Sequence, residues 1–264
     1  MSEKRQGSTI ETDREAREEA WHDRHFEGGK MPRHYDFNPT SLVYSRLLEV
    51  AGDLSGRTLL EYGCGAGWST AELRSRGALV TAFDISSSAL NETEEFLRRR
   101  DMLSGVRLLK MSAENLELPD ASFDVAFGNA ILHHLNLERA LPEMARVLKP
   151  GGVAIFAEPL GTNPAINLYR RATPQFRTPD EEPLDLKKFE RAVSPWFILR
   201  HEEFFLTALA IFPLVHLPGM GGVFRFLLPK FVSLDRAIMS VFPSLGHWAW
   251  YSVLVMQRRD AGGT

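Results

Sequence analysis

At 264 residues and 29.8 kDa the chain has room for one well-buried domain with additions, since domains usually run ~100–200 residues. A hydrophobic fraction of 44% and a charged fraction of 25% exclude wholesale disorder and fibrous architecture. A net charge of -3 with pI near 6.3 gives no electrostatic footprint for nucleic acid. The single cysteine, Cys64, rules out an internal disulfide and a cysteine-built zinc site. No His/Cys/Asp cluster has metal-ligand spacing, so no metal site is expected. The opening Met1-Ser2-Glu3-Lys4-Arg5 has no apolar signal segment, and a cytoplasmic location is expected.

Residues 3–24 are about half charged with both signs mixed, which reads as a solvated helix or frayed tail carrying no core. Phe26 to Pro39 is rich in Gly, Pro and aromatic residues and reads as a loop able to fold over something. Leu42, Val43, Leu47, Leu48 and Val50 recur at helical spacing and predict a first core helix. Strand and helix signals then alternate. Arg57–Glu61 is a strand, Ser69–Ser75 a helix, Ala78–Phe83 a strand closed by Asp84, and Ser86, Ser87 and Ser88 offer caps for a helix to about Arg100. Val106–Leu109 and Phe123–Phe127 are strands, and Leu137–Leu148 is a helix stopped by Lys149-Pro150-Gly151-Gly152. Val153–Ala157 is a fifth strand. Phe197–Phe205 and Trp248–Met256 suit strands six and seven. Strands apolar at consecutive positions and separated by helices predict a doubly wound α/β sheet, mostly parallel and covered on both faces.

The chemistry concentrates in Glu61-x-Gly63-x-Gly65-x-Gly67, where the first strand turns into a helix. Glycines there let the backbone turn tightly and approach a ligand, with helix N–H groups pointing at it. Asp84, ending the second strand, is placed to take ribose hydroxyls. The Gly-x-Gly-x-x-Gly fingerprint of dehydrogenases needs glycine at position 68, where this chain has Trp68.

Four motifs in order carry a resemblance: Leu59-Leu60-Glu61-Tyr62-Gly63-Cys64-Gly65-Ala66-Gly67, then Phe83-Asp84-Ile85-Ser86, then Ala113-Glu114-Asn115-Leu116 through Ser122-Phe123-Asp124, then Leu132-His133-His134 with Leu148-Lys149-Pro150-Gly151-Gly152. Over about residues 40–160 the chain resembles class I S-adenosylmethionine-dependent methyltransferases of the broad ubiquinone/menaquinone type. The resemblance implies a Rossmann-like seven-stranded sheet whose last strand is antiparallel. It implies that Glu61 and the Gly63–Gly67 loop, including Cys64 and Gly65, hold the methionine part of S-adenosylmethionine. Asp84 would bind the ribose, Ile85 would pack on the adenine, and Ala113 with its neighbours Ser112 and Glu114 would meet the adenine edge. The family often has Asp where this chain has Ser112; a serine also accepts a hydrogen bond, and Glu114 is the substitute. Asn129 follows the fourth strand near the methionine part, and Tyr35 lies in the N-terminal segment that closes over such sites. S-adenosylhomocysteine is the implied product.

Methyl transfer needs a base only when the acceptor must lose a proton. His133, His134 and Glu158, at the carboxyl ends of strands four and five, are the candidates, each with a packing or capping role as its rival. By this reading residues 1–40 are a charged tail and cofactor-covering segment, 41–160 the cofactor-binding core, and 161–264 a substrate-side region. The last holds an apolar insertion at about 206–246 between strands six and seven, in runs too short to span a bilayer. That surface has four places to go: onto the sheet, around a greasy acceptor, into a homodimer, or against a membrane surface. The expected function is methylation of a small or medium hydrophobic acceptor such as a lipid, quinone or polyketide, on oxygen before carbon. The rivals are a non-catalytic cofactor-binding scaffold and a nucleotide-dependent dehydrogenase.

Overall fold

The computed structural model describes residues 14–24, 41–173, 178 and 180–259. Seven strands form one sheet: β1 Thr58–Tyr62, β2 Leu79–Asp84, β3 Val106–Lys110, β4 Phe123–Asn129, β5 Leu148–Pro159, β6 Phe197–Phe204 and β7 Tyr251–Arg258. Their order across the sheet is β3-β2-β1-β4-β5-β7-β6. The pairs β3/β2, β2/β1, β1/β4 and β4/β5 are parallel, and β7 runs antiparallel to both β5 and β6. This is the doubly wound, mostly parallel sheet expected from the sequence.

Helix α1 (residues 14–24) precedes α2 (Ser41–Ala51). Then come α3 (Trp68–Ser75), α4 (Ser87–Arg98), α5 (Leu137–Val147), α6 (Pro164–Ala172), α7 (Leu186–Val193) and α8 (Gly221–Val241). Because both faces of the sheet are covered, its central strands can be apolar throughout: Leu59 and Leu60 of β1 and Ala154 to Ala157 of β5 are all buried. One core joins Tyr62, Phe156, Leu141, Met144, Phe189 and Phe197, under α5 and α7. The other joins Val43, Leu47, Leu73, Phe127, Ile155 and Phe224, under α2, α3 and α8.

Two boundaries differ from the sequence reading. Helix α5 ends at Val147, and Lys149-Pro150-Gly151-Gly152 belongs to β5 as a bulge. Phe123 pairs with Leu148, yet Val125 pairs with Val153, and Gly151 takes φ 71 inside the extra length. Strand β7 starts at Tyr251, because Pro243–Trp248 forms a 3-10 turn ahead of it.

Close approach of β4 to its neighbours depends on Gly128. A Cβ there would lie 2.4 Å from Phe156 Cε1 and 2.8 Å from Ile131 Cγ2, and the Phe156 ring is fully buried. Gly128→Ala is expected to destabilise the fold by about 1–3 kcal/mol through overpacking. Urea denaturation checks this, and an unchanged midpoint would contradict it.

Candidate functional site

The winding of the sheet reverses between β1 and β4, and a cleft opens outside the carboxyl ends of these strands, where open α/β sheets hold ligands. Gly63 and Gly65 line it from the β1–α3 turn, and Asp84 and Ile85 from the end of β2. Ser112, Ala113 and Glu114 line it after β3, and Asn129 at the end of β4. Of the remaining cofactor residues expected from the sequence, Glu61, Cys64 and Gly67 sit outside the lining, and Tyr35 lies outside the described residues.

The turn explains its glycines. Gly63, Gly65 and Gly67 have φ of 66, 52 and 81, a region that side chains disfavour. Gly67 also faces α4, where a Cβ would come 3.0 Å from the Thr93 Cα. It is a packing glycine that lets α4 sit against the turn. Thr93 in turn donates to the Gly65 carbonyl at 2.8 Å. Cys64 is buried beside Thr93, and burial pushes its thiol well up, so it is a small packing group and no nucleophile.

Asp84 ties two turns together: Oδ2 accepts from the Gly65 N–H at 3.0 Å and Oδ1 from the Ser86 N–H at 2.9 Å. Ser86 then caps α4 by accepting from the Ala89 N–H. Glu61 is in the opposite condition. It is 1% exposed and neither of its carboxylate oxygens has a hydrogen-bond partner. Burial, only partly offset by the nearby Thr70 hydroxyl, pushes its carboxyl up to about 8.

The three base candidates separate. Glu158 is fully buried; its Oε1 accepts from the Ile131 and Leu132 N–H groups at 2.8 Å each, and its Oε2 lies 2.7 Å from His133 Nδ1. His133 and Glu158 thus form a dyad behind the cleft wall that fixes the short 3-10 turn Leu132–His134. His134 alone of the three lines the cleft. Its Nδ1 lies 3.1 Å from Glu18, and its ring centroid 4.1 Å from that of His133.

Glu18 belongs to α1, which lies in the segment expected to cover the site but whose residues the sequence did not single out. Over residues 14–24 the charged segment is a helix packed on the site and not a solvated one: Arg14, Glu15, Glu18 and His22 all line the cleft, and Glu18 is buried. Glu15 accepts from the Ser112 hydroxyl at 2.5 Å, Glu19 pairs with Lys110 at 2.5 Å, and Asp23 accepts from Ser86 at 2.6 Å. Arg14 reaches Glu114 at 3.4 Å, and Arg17 makes a two-pronged pair with Asp180. Burial opposes ionisation of Glu18, yet the polar groups of His134, His22 and Thr178 around it together hold its carboxyl well below the usual range. The signal was present as Glu15, Glu18 and His22 at i, i+3 and i+7, one face of a helix. The fold also brings ligand atoms of Glu18, His22 and His134 within 4.8 Å of one another, and likewise those of His133, His134 and Glu181. Sequence spacing shows only the Glu18/His22 and His133/His134 pairs, because the third member of each grouping comes from a separate element.

Comparison with known proteins bears on this geometry. Residues 60–156, the strands and turns that build the cleft, match the family model described as methyltransferase domain. That match covers well under half of the chain. The chain is 34% identical over 116 residues to a malonyl-[acyl-carrier protein] O-methyltransferase of Serratia marcescens, covering 44% of this chain and 43% of that one. It is 34% identical over 126 residues to a fatty-acid O-methyltransferase of Mycolicibacterium smegmatis, covering 47% and 44%. The chain therefore spans less than half the length of these curated relatives. In fold it is similar to the geranyl diphosphate C-methyltransferase of Streptomyces coelicolor A3(2), with TM-score 0.60 and 14% identity over 83% of this chain and 78% of that one.

Within this core, the raised Glu61 makes stability depend on pH. Between its ordinary 4.5 and about 8 the folded chain holds a proton that the unfolded chain has lost, so stability falls as pH rises through that window. Glu61→Gln removes the slope. It is expected to melt above the native chain at pH 8 and close to it at pH 4.5. Scanning calorimetry at both pH values checks this, and equal melting at the higher one would contradict it.

Proposed function

We propose that the chain is an S-adenosylmethionine-dependent methyltransferase acting on a small or medium hydrophobic acceptor, on oxygen in preference to carbon. The observation that carries the reading is Glu61, a buried carboxylate without a partner at the foot of the glycine turn. Such a group costs free energy unless a donor or cation reaches it, and the ammonium of the cofactor's methionine part is such a cation. Asp84 has two lone-pair positions left after binding Gly65 and Ser86, enough for a ribose diol. Ile85 and Ala113 would offer apolar contact to the adenine, Ser112 and Glu114 acceptors for its amino group, and Asn129 would meet the methionine part; all five line the cleft.

S-adenosylmethionine supplies an electrophilic methyl carbon. The protein contributes alignment of the acceptor and exclusion of water, for which proximity alone is worth about 7–11 kcal/mol. A carboxylate acceptor requires no base, whereas a hydroxyl acceptor does. His134 serves that purpose. Burial lowers its pKa, so the imidazole is neutral near pH 7. Glu18, held ionised 3.1 Å from Nδ1, would favour a proton on that nitrogen, which would leave Nε2 to take a proton from the acceptor. His133 and Glu158 position this ring from behind. The names of the two relatives, O-methyltransferases that include one for fatty acids, support oxygen and a hydrophobic acceptor.

Titration calorimetry tests the cofactor. S-adenosylhomocysteine is expected to bind in the micromolar range, with loss in Asp84→Ala and no binding of NADH; NADH binding in place of the homocysteine would overturn the assignment. His134→Ala is expected to lower kcat on a hydroxyl acceptor by about 10²-fold or more while leaving cofactor affinity nearly unchanged. In the native enzyme kcat/KM should fall on acidification with a midpoint below the ordinary 6.5 of histidine. A flat profile across that range would remove His134 from the proton transfer.

A further inference from the structure

The insertion between β6 and β7, Phe205 to Trp250, has one face explained and one face bare. On the inner face Phe224 and Leu228 of α8 are buried with Phe205 and Ile211 against the sheet. Asp235, 1% exposed, accepts from the N–H groups of Leu206 at 3.0 Å and Thr207 at 2.7 Å and from the Thr207 hydroxyl, locking α8 to the start of the insertion. On the outer face Val223, Phe226, Leu234 and Val241 share one side of the helix, with Phe226 64% and Val241 67% exposed. The following turn adds Phe242 and Trp248, also exposed. Several large apolar side chains aligned in this way mark an interaction surface.

We propose that this face seats on an anionic lipid surface. Charge selects the occupant. The insertion carries Arg225, Lys230 and Arg236 against a single acidic residue, Asp235, in a chain whose net charge is -3. That lone acid is buried, and of the three cations Arg236 lies 3.5 Å from Glu202 of β6, which leaves Lys230 as the cation set on the apolar face itself. The Lys230 ammonium lies 3.7 Å from the centre of the Phe226 ring, its stem along the apolar face and its charge beside it, the arrangement of a lysine at a bilayer interface. Four charged residues along α8 suit a helix lying in the interface plane, and no described helix is long and apolar enough to cross a membrane.

The position on the fold gives the surface a use. Tyr251, where the insertion returns to the sheet, pairs with Pro159 at the carboxyl end of β5 and with Phe204 at the end of β6. The insertion therefore hangs from the edge of the sheet that carries the cleft. Helix α6 is tied to the same turn: the Thr162 hydroxyl donates to the His247 carbonyl, and the Asn163 amide to that of Trp248 at 2.5 Å. It adds exposed Leu168 and Tyr169, followed by Arg170 and Arg171. A bilayer at this face lies at the cleft edge of the molecule, where an apolar acceptor dissolved in lipid can be reached without crossing water. Lipid binding itself does not depend on which reaction the cleft performs.

Flotation of the full chain with vesicles tests the proposal. The chain is expected to float with phosphatidylcholine vesicles containing phosphatidylglycerol, to float much less with phosphatidylcholine alone, and to lose the difference in high salt. Phe226→Asp and Phe242→Asp, both exposed and outside the cleft, are each expected to weaken vesicle binding by about tenfold or more. Both should keep the native circular dichroism and S-adenosylhomocysteine affinity. Sedimentation equilibrium supplies the second readout. Absence of flotation on the anionic vesicles, or equal flotation of the variants, overturns the proposal. So does a stable dimer that Phe226→Asp dissociates, since a second copy would then own the face.

Discussion

The cleft rests on one buried carboxylate with two jobs. Asp84 accepts from the amides of Gly65 and Ser86, and so holds the turn after β1 against the turn after β2. Neither turn is stable on its own account, since three left-handed glycines place the first in conformations that cost entropy on folding. Hydrogen bonding to the ionised form offsets part of the burial that pushes the Asp84 pKa up. The result fixes both the backbone that lines the cleft and the N-terminus of α4. Thr93, one turn further along α4, then closes the loop by donating to the Gly65 carbonyl, which only Gly67 leaves room for. The ligand-facing side of Asp84 is free because its other side is occupied by protein.

This half of the cleft was legible in the sequence for a physical reason. The glycine spacing, the acid two positions ahead of it and Asp84 at a strand end are local patterns, each set by backbone geometry within one turn. Helix α1 obeys no such local rule. Its contacts to Lys110, Ser112 and Asp180 join residues far apart in the chain, and a run of mixed charges looks the same whether it meets water or partners across a cleft. The His133–Glu158 dyad shows the intermediate case. Both residues could be suspected from their places after β4 and β5, but only the register that sets Asn129 beside Ala157 brings them to 2.7 Å and turns them away from the lining. The bulge at Gly151 was hidden because Pro-Gly-Gly ends a helix and bends a strand with the same chemistry.

The insertion is ordered by a similar device on a larger scale. An apolar stretch of that length has no single way to fold, and its sequence admitted packing, pocket-lining, dimerisation and lipid contact alike. Asp235 removes the ambiguity for one face. A lone acid inside an apolar helix is costly unless its oxygens are satisfied, and the amides of Leu206 and Thr207 satisfy them only when α8 lies in one register against the sheet. The buried acid specifies the register, and the hydrophobic inner face stabilises it.

Charge distribution links the covering helix to the proposed chemistry. Glu15, Glu18 and Glu114 line the cleft and Asp84 stands at its floor, with Arg14 as a partial counterweight. Such a lining favours a cationic ligand, and each pair of opposite charges about 4 Å apart is worth about 4 kcal/mol at the effective dielectric of a protein surface and about 1 kcal/mol in water. On the proposed reading the sulfur loses its positive charge during the reaction, so the acidic lining binds the product more weakly than the cofactor. Glu18 is the residue most affected, because it is held ionised while two histidines share it. On that reading Glu18, 3.1 Å from Nδ1 of His134, would then help to discharge the spent cofactor, and α1, which carries it, is attached to the core by polar contacts at Ser86, Lys110 and Ser112. On that reading α1 is a cover, and attachment through exposed polar pairs such as Glu19–Lys110, which exchange readily with water, suits one that opens for exchange of the cofactor.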